Sequence, residues 1–158
     1  MLRHGYPELY ADDSHWLKRA QGLAERVFEF TEYVVDRLNT TDLGASWEGV
    51  ITYHASCHTL RGLRVDRQPR ALLDAVRGVR LVELPEAEDC CGFGGIFSVE
   101  HPELSAEMLK RKISNLDTST ADTLVVAEPG CLMHIAGGIH RRKGRQKVMH
   151  IAEVLANT

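Results

Sequence analysis

Between Ser14 and Leu38, apolar residues recur at Leu17, Ala20, Ala24, Val27, Phe28, Val34, Val35 and Leu38. This is the spacing of one helical face, and it predicts a long amphipathic helix over 14–38. Ser14 is placed to cap its start, and Asn39-Thr-Thr-Asp42 to stop it. Thr40 to Gly49 reads as a loop. After Gly49 the pattern changes to short apolar runs alternating with helical ones. Val50-Ile-Thr-Tyr53, Arg80-Leu-Val-Glu-Leu84, Thr123-Leu-Val-Val-Ala127 and Lys147-Val-Met-His150 read as strands. Between them lie helical patterns over 68–76, ended by Gly78, over 101–116, with Pro102 in the first turn, and over 132–142. A last helical turn or two runs through Leu155.

Strand–helix alternation of this kind implies a parallel sheet joined by right-handed crossovers. The expected fold is α/β: a small parallel sheet with helices on both faces and the long N-terminal helix laid across it. Residues 1–158 then form a single domain, with the helix at 14–38 and an α/β core at 50–158. No internal repeat and no low-complexity segment interrupts it.

Composition narrows the function classes. With 44% apolar and 26% charged residues, the 158-residue chain has the balance of a soluble globular protein. Its net charge of −3 provides no basic footprint for nucleic acid. No apolar run approaches the roughly 18–20 residues of a transmembrane segment, and the first residues lack a secretory apolar core. The expected location is cytoplasmic, where four cysteines are reduced thiols or metal ligands rather than a disulfide framework.

Those cysteines carry the chemistry. Cys90 and Cys91 are adjacent, inside Asp89-Cys-Cys-Gly-Phe-Gly-Gly95, while Cys57 and Cys131 stand in His54-Ala-Ser-Cys-His58 and Pro129-Gly-Cys-Leu-Met-His134. Adjacent cysteines bridge poorly to each other. Each cysteine segment follows a predicted strand. In a parallel sheet those connections emerge at the carboxyl edge, where α/β folds place ligands. Three segments thus deliver four sulfurs to one place, as a thiolate-bound iron–sulfur or zinc site requires. Gly92, Gly94 and Gly95 let the backbone pass close to such a centre. They match no phosphate-binding loop. His54 and His58 flank Cys57 as candidate hydrogen-bond donors to the sulfurs, with backbone-bonded loop histidines as the plainer reading. Glu83, Glu86, Glu88 and Asp89 lead into Cys90 as a solvated acidic loop. No catalytic acid, base or nucleophile stands out.

The order of a lone cysteine, a Cys-Cys-Gly triplet and a final cysteine segment resembles the cysteine-rich CCG domain. That domain occurs in a heterodisulfide reductase subunit and in the iron–sulfur proteins of glycolate oxidation and lactate utilisation. The likeness is greatest to the last group and extends over Tyr6-Pro-Glu-Leu9, Ser56-Cys-His58, Gln68-Pro-Arg70, Cys90-Cys-Gly-Phe-Gly-Gly95, Phe97-Ser98 and Gly130-Cys-Leu-Met133. Complete family motifs end in Cys-x-x-Cys, but here the last position is His134.

What the resemblance implies is an electron-transfer component, itself non-catalytic, of a complex oxidising L-lactate or a related 2-hydroxy acid such as glycolate. Its cofactor would be an iron–sulfur cluster, 4Fe-4S, held by Cys57, Cys90, Cys91 and Cys131, with His134 one helical turn beyond Cys131 as a further candidate ligand. Electrons would pass to or from a flavin- or cluster-bearing partner subunit. Such proteins carry two CCG domains in tandem, so a missing N-terminal CCG domain is expected, and the isolated chain has a surface on which to form a homodimer. Two alternatives stand beside this reading. One is a zinc-binding docking module of a redox complex; the other is a heterodisulfide-reductase-like catalytic cluster, against which the absent fifth cysteine counts.

Overall fold

The computed structural model describes Met1–Thr158. Four strands, β1 (Ser46–His54), β2 (Arg77–Val82), β3 (Thr123–Val126) and β4 (Lys147–His150), form one sheet in the order β2-β1-β3-β4. All three strand pairs are parallel. The helices are α1 (Gly5–Leu9), α2 (Ser14–Ala24), α3 (Phe30–Glu32), α4 (Arg67–Asp74), α5 (Phe97–Glu100), α6 (Pro102–Thr118), α7 (Pro129–Arg141) and α8 (Ile151–Leu155). Two π-helical turns, Tyr33–Arg37 and His58–Leu63, complete the set. The α/β class, the parallel sheet and the helices on both faces are therefore as the sequence pattern implied.

The core lies in two layers, one on each face. Because strand residues alternate faces, Ile51, Tyr53 and Val125 pack with Leu72, Leu73, Val76, Ile151, Val154 and Leu155 from α4, α8 and neighbouring residues. Leu124 and Val126 point the other way, onto Leu109, Ile113 and Leu116 of α6 and Ile135 and Ile139 of α7. All four residues of β3 are buried, and so are the last four of β1. Buried side chains such as Leu124 and Ile135 each contribute roughly 1.5–3 kcal/mol through apolar burial.

The N-terminal helix differs from expectation. Helix α2 ends at Ala24, and a new helical segment begins after Glu29 and continues as the π-helical turn to Arg37. Two long-range contacts account for the break. The Arg3 guanidinium donates to the Val27 carbonyl (2.6 and 3.1 Å) and to Glu32 (2.6 Å). The Glu29 carboxylate then caps the new segment by accepting from the Thr31 and Glu32 backbone N–H groups, in a reciprocal box with Glu32. The cap of α2 is also Asp13 rather than Ser14. Helix α2 buries only Ala20, so what packs on the core is the later segment, through Thr31, Val34 and Val35.

Other boundaries move by a few residues. Strand β1 starts at Ser46, inside the expected loop, and Gly78 lies within β2 instead of stopping a helix. Helix α7 starts at Pro129, which places Cys131 in its first turn. No helix is long and apolar enough to cross a membrane.

Candidate metal centre

Strand order reverses direction at the β1/β3 pair: the chain leaves β1 toward β2 on one side, and leaves β3 toward β4 on the other. Connections that diverge this way open a crevice beyond the carboxyl ends of the two strands. His54 ends β1 opposite Val126 at the end of β3. Cys57 follows three residues after His54, immediately before the π-helical turn His58–Leu63, and Cys131 follows Val126 in the opening turn of α7. The Cys90–Cys91 segment closes the crevice from beyond β2.

All four cysteines line one cleft of about 320 Å³, together with Ser56, His58, Phe93, Gly94, Gly95 and Glu128. Cys91 and Cys131 are buried and Cys57 and Cys90 half-buried; none is in a disulfide. The Cys91 and Cys131 Sγ atoms stand 3.0 Å apart. A ring nitrogen of His54 joins them, and the three donor atoms all lie within 4.8 Å of one another. His54 is fully buried, and its Nδ1 contacts the Ala87 carbonyl at 3.1 Å.

Electrostatics set Cys91 apart from Cys90 and Cys131. Cys91 is drawn down to about 4, first by the hydrogen bond shared with Cys131 and also by the Phe93 backbone N–H, against the effect of burial. The same contact and burial push Cys131 up, as does the Glu128 carboxylate beside it. Burial, with Cys57 and Cys91 as like-charged neighbours, pushes the Cys90 thiol up, while the Gly92 N–H, 3.4 Å from its sulfur, pulls the other way.

The surroundings hold the Cys90–Cys91 segment in place. Gly92 adopts φ +90°, and a Cβ there would lie 2.6 Å from the Ser105 carbonyl on α6, so only glycine fits this approach. Gly94 and Gly95 are exposed at the mouth of the cleft. Three carboxylates of the acidic run before Cys90 are paired rather than simply solvated, and Glu88 is exposed. Glu83 meets Arg70, Glu86 meets Arg111 and Asn115, and Asp89 lies 3.4 Å from Arg111. Beneath it Lys112, 2% exposed, donates to the Glu86 carbonyl at 2.5 Å and reaches the Ala87 carbonyl at 3.4 Å. Burial lowers the Lys112 pKa, with Asp89, Cys91, Glu86 and Cys90 opposing.

Of the histidines singled out in the sequence, His58 is exposed on the cleft rim. His134 turns to α6, where its Nε2 lies 3.4 Å from Ser105 Oγ, and packs against Phe93. His54 lies nearer the sulfurs than sequence suggested, and Glu128 and Lys112 were not singled out at all. Glu128 had one available signal, its place just before a helix-opening proline.

Four thiols lining one cleft, with the buried His54 imidazole beside two of them, are the donor set of a soft or borderline metal. A parallel α/β domain with such a thiol cleft at the carboxyl edge of its sheet is a metal-binding module. The cysteine-rich domain model designated CCG matches residues 51–136, and the chain belongs to that family. It is 47% identical over 152 residues to lactate utilization protein A 1 of Bacillus cereus (strain AH820) and to lactate utilization protein A 2 of Bacillus mycoides (strain KBAB4). Identity to lactate utilization protein A of Bacillus cereus (strain G9842) is 46%. Each alignment covers 96% of this chain but 64% of the relative, so the chain spans just under two thirds of the length of these proteins.

Proposed function

We propose that this domain holds an iron–sulfur cluster through Cys57, Cys90, Cys91 and Cys131 and relays electrons in the oxidation of L-lactate or a related 2-hydroxy acid such as glycolate. The observation that carries this reading is the convergence of all four thiols, from three separate segments, on one cleft. Four cysteine thiolates are the ordinary protein ligands of a [4Fe–4S] cluster, which supplies one-electron redox chemistry when bound. This chain's own residues supply the thiolates, the Gly92 N–H toward Cys90, and the neighbouring cations Arg111 and Lys112. Likeness to proteins named for lactate utilisation supports the substrate assignment. Partner subunits bearing flavin or further clusters would exchange electrons with this one, and a second CCG domain would accompany it.

A second reading has its own observation. His54, Cys91 and Cys131 hold their donor atoms within 4.8 Å of one another, a spacing suited to a single ion. Zinc bound there would stabilise the fold without carrying electrons.

Anaerobic purification followed by iron, sulfide and zinc analysis tests the proposal. Stoichiometric iron and sulfide, a brown protein, and loss of both in Cys91→Ser support the cluster. A colourless protein with one zinc supports the second reading, and a metal content unchanged in Cys91→Ser overturns both.

A further inference from the structure

We infer that His54 is itself a metal ligand, bonding through Nε2 alongside Cys91 and Cys131, and that Lys112 positions it. The inference rests on the metal-binding reading above and adds a nitrogen donor to it.

The tautomer follows from the contact at Nδ1. That nitrogen lies 3.1 Å from the Ala87 carbonyl. A carbonyl only accepts, so the ring proton sits on Nδ1 and the lone pair on Nε2. Nε2 is buried and has no hydrogen-bond partner. Buried polar atoms are nearly always satisfied, and an orphan calls for an explanation. The explanation lies beside it: a His54 ring nitrogen and the Cys91 and Cys131 sulfurs are mutually within 4.8 Å. A single ion with metal–nitrogen bonds near 2.0 Å and metal–sulfur bonds near 2.3 Å spans such a group.

The support behind the ring completes the case. Ligating histidines almost always donate their other N–H to a carbonyl or carboxylate, which fixes ring orientation and raises ligand basicity. Here the accepting carbonyl is itself held, because the Lys112 ammonium reaches Ala87 O at 3.4 Å and Glu86 O at 2.5 Å. Lys112 reaches this carbonyl pair from α6, on the face of the sheet that carries α6 and α7. The sequence Lys112–Ala87–His54–sulfur runs through the buried interior from a fixed cation to the centre. His134 does not supply this donor, since its Nε2 faces Ser105 Oγ on α6 instead.

Cobalt(II), a spectroscopic surrogate for zinc, tests the inference on the chain as it stands. Wild type, His54→Ala, His54→Cys and Lys112→Met are titrated with Co²⁺, and absorption is followed in the charge-transfer and ligand-field regions. Expected are a mixed nitrogen–sulfur spectrum for wild type and a fall in affinity of at least about 10–100-fold in His54→Ala, with a fall of about the same order in Lys112→Met. His54→Cys is expected to keep the affinity and gain sulfur charge-transfer intensity. Pulsed EPR on wild type labelled with ¹⁵N-histidine needs no variant and is expected to show a directly bound nitrogen. Absent nitrogen coupling, or unchanged affinity and spectrum in His54→Ala, overturns the inference while leaving the thiolate site intact. A wild type that binds neither cobalt nor iron overturns the metal reading itself, and this inference with it.

Discussion

Gly130 and Phe93 meet so closely that a Cβ at Gly130 would stand 2.6 Å from the Phe93 ring and 3.0 Å from the Glu128 carboxylate. The absence of a side chain at Gly130 therefore lets the Cys90–Phe93 segment close onto the first turn of α7, and brings Cys91 to within 3.0 Å of Cys131. Gly130→Ala is expected to force Phe93 outward and to cost about 1–3 kcal/mol, the usual range for overpacking. Denaturant unfolding measures that cost. Weaker metal retention in the same variant reports the widening between Cys91 and Cys131.

Lys112 is the second pressure point. Replacing it with methionine keeps the length and removes the donor to the Glu86 and Ala87 carbonyls. Unmet buried acceptors cost about 1–3 kcal/mol. Lys112→Met is therefore expected to destabilise the domain by an amount in this range, read by urea unfolding. A midpoint equal to or above that of wild type would show that desolvation of the ammonium outweighs its hydrogen bonds.

Acid stability has a local contributor at Glu86. Hydrogen bonds from Arg111 and then Asn115 hold its carboxylate at about 2, well below the ordinary glutamate value. A depressed carboxylate adds stability that is fully present above its unfolded pKa and is lost as pH falls through the folded one. The window here runs from about 4.5 down to about 2. The group is solvent-exposed, so the effect on the melting temperature is expected to be small. Wild type should lose more of its melting temperature between pH 5 and pH 2.5 than Glu86→Gln does, and parallel curves for the two proteins would exclude the effect.

Serine at Cys57 separates the two metal readings. A four-thiolate cluster uses Cys57, so Cys57→Ser is expected to lose most of its iron and sulfide. A single ion on His54, Cys91 and Cys131 does not use it, and zinc content would then survive the substitution. Metal analysis of that one variant against wild type distinguishes the cases.

The plan of the sheet was legible in sequence because strand and helix leave different periods. Thr123-Leu-Val-Val126 is an unbroken apolar run with both faces buried, and 102–118 carries a helical stripe. Strand–helix alternation then fixed parallel pairing, and parallel pairing put the three cysteine segments at one edge. The broken N-terminal helix was not legible, because the residue that takes the Val27 carbonyl is Arg3, 24 positions away. Apolar spacing over 14–38 records what each turn would bury and nothing of what its carbonyls will meet.

Local pattern alone determined the fold class and the set of thiols, since both follow from residue type and short-range spacing. Only the tertiary structure decided that His54 stands among those sulfurs with a free nitrogen, and that Lys112 lies buried behind it. Each depends on atoms brought together across dozens of residues, in an interior where losing water makes every unpaired polar group costly.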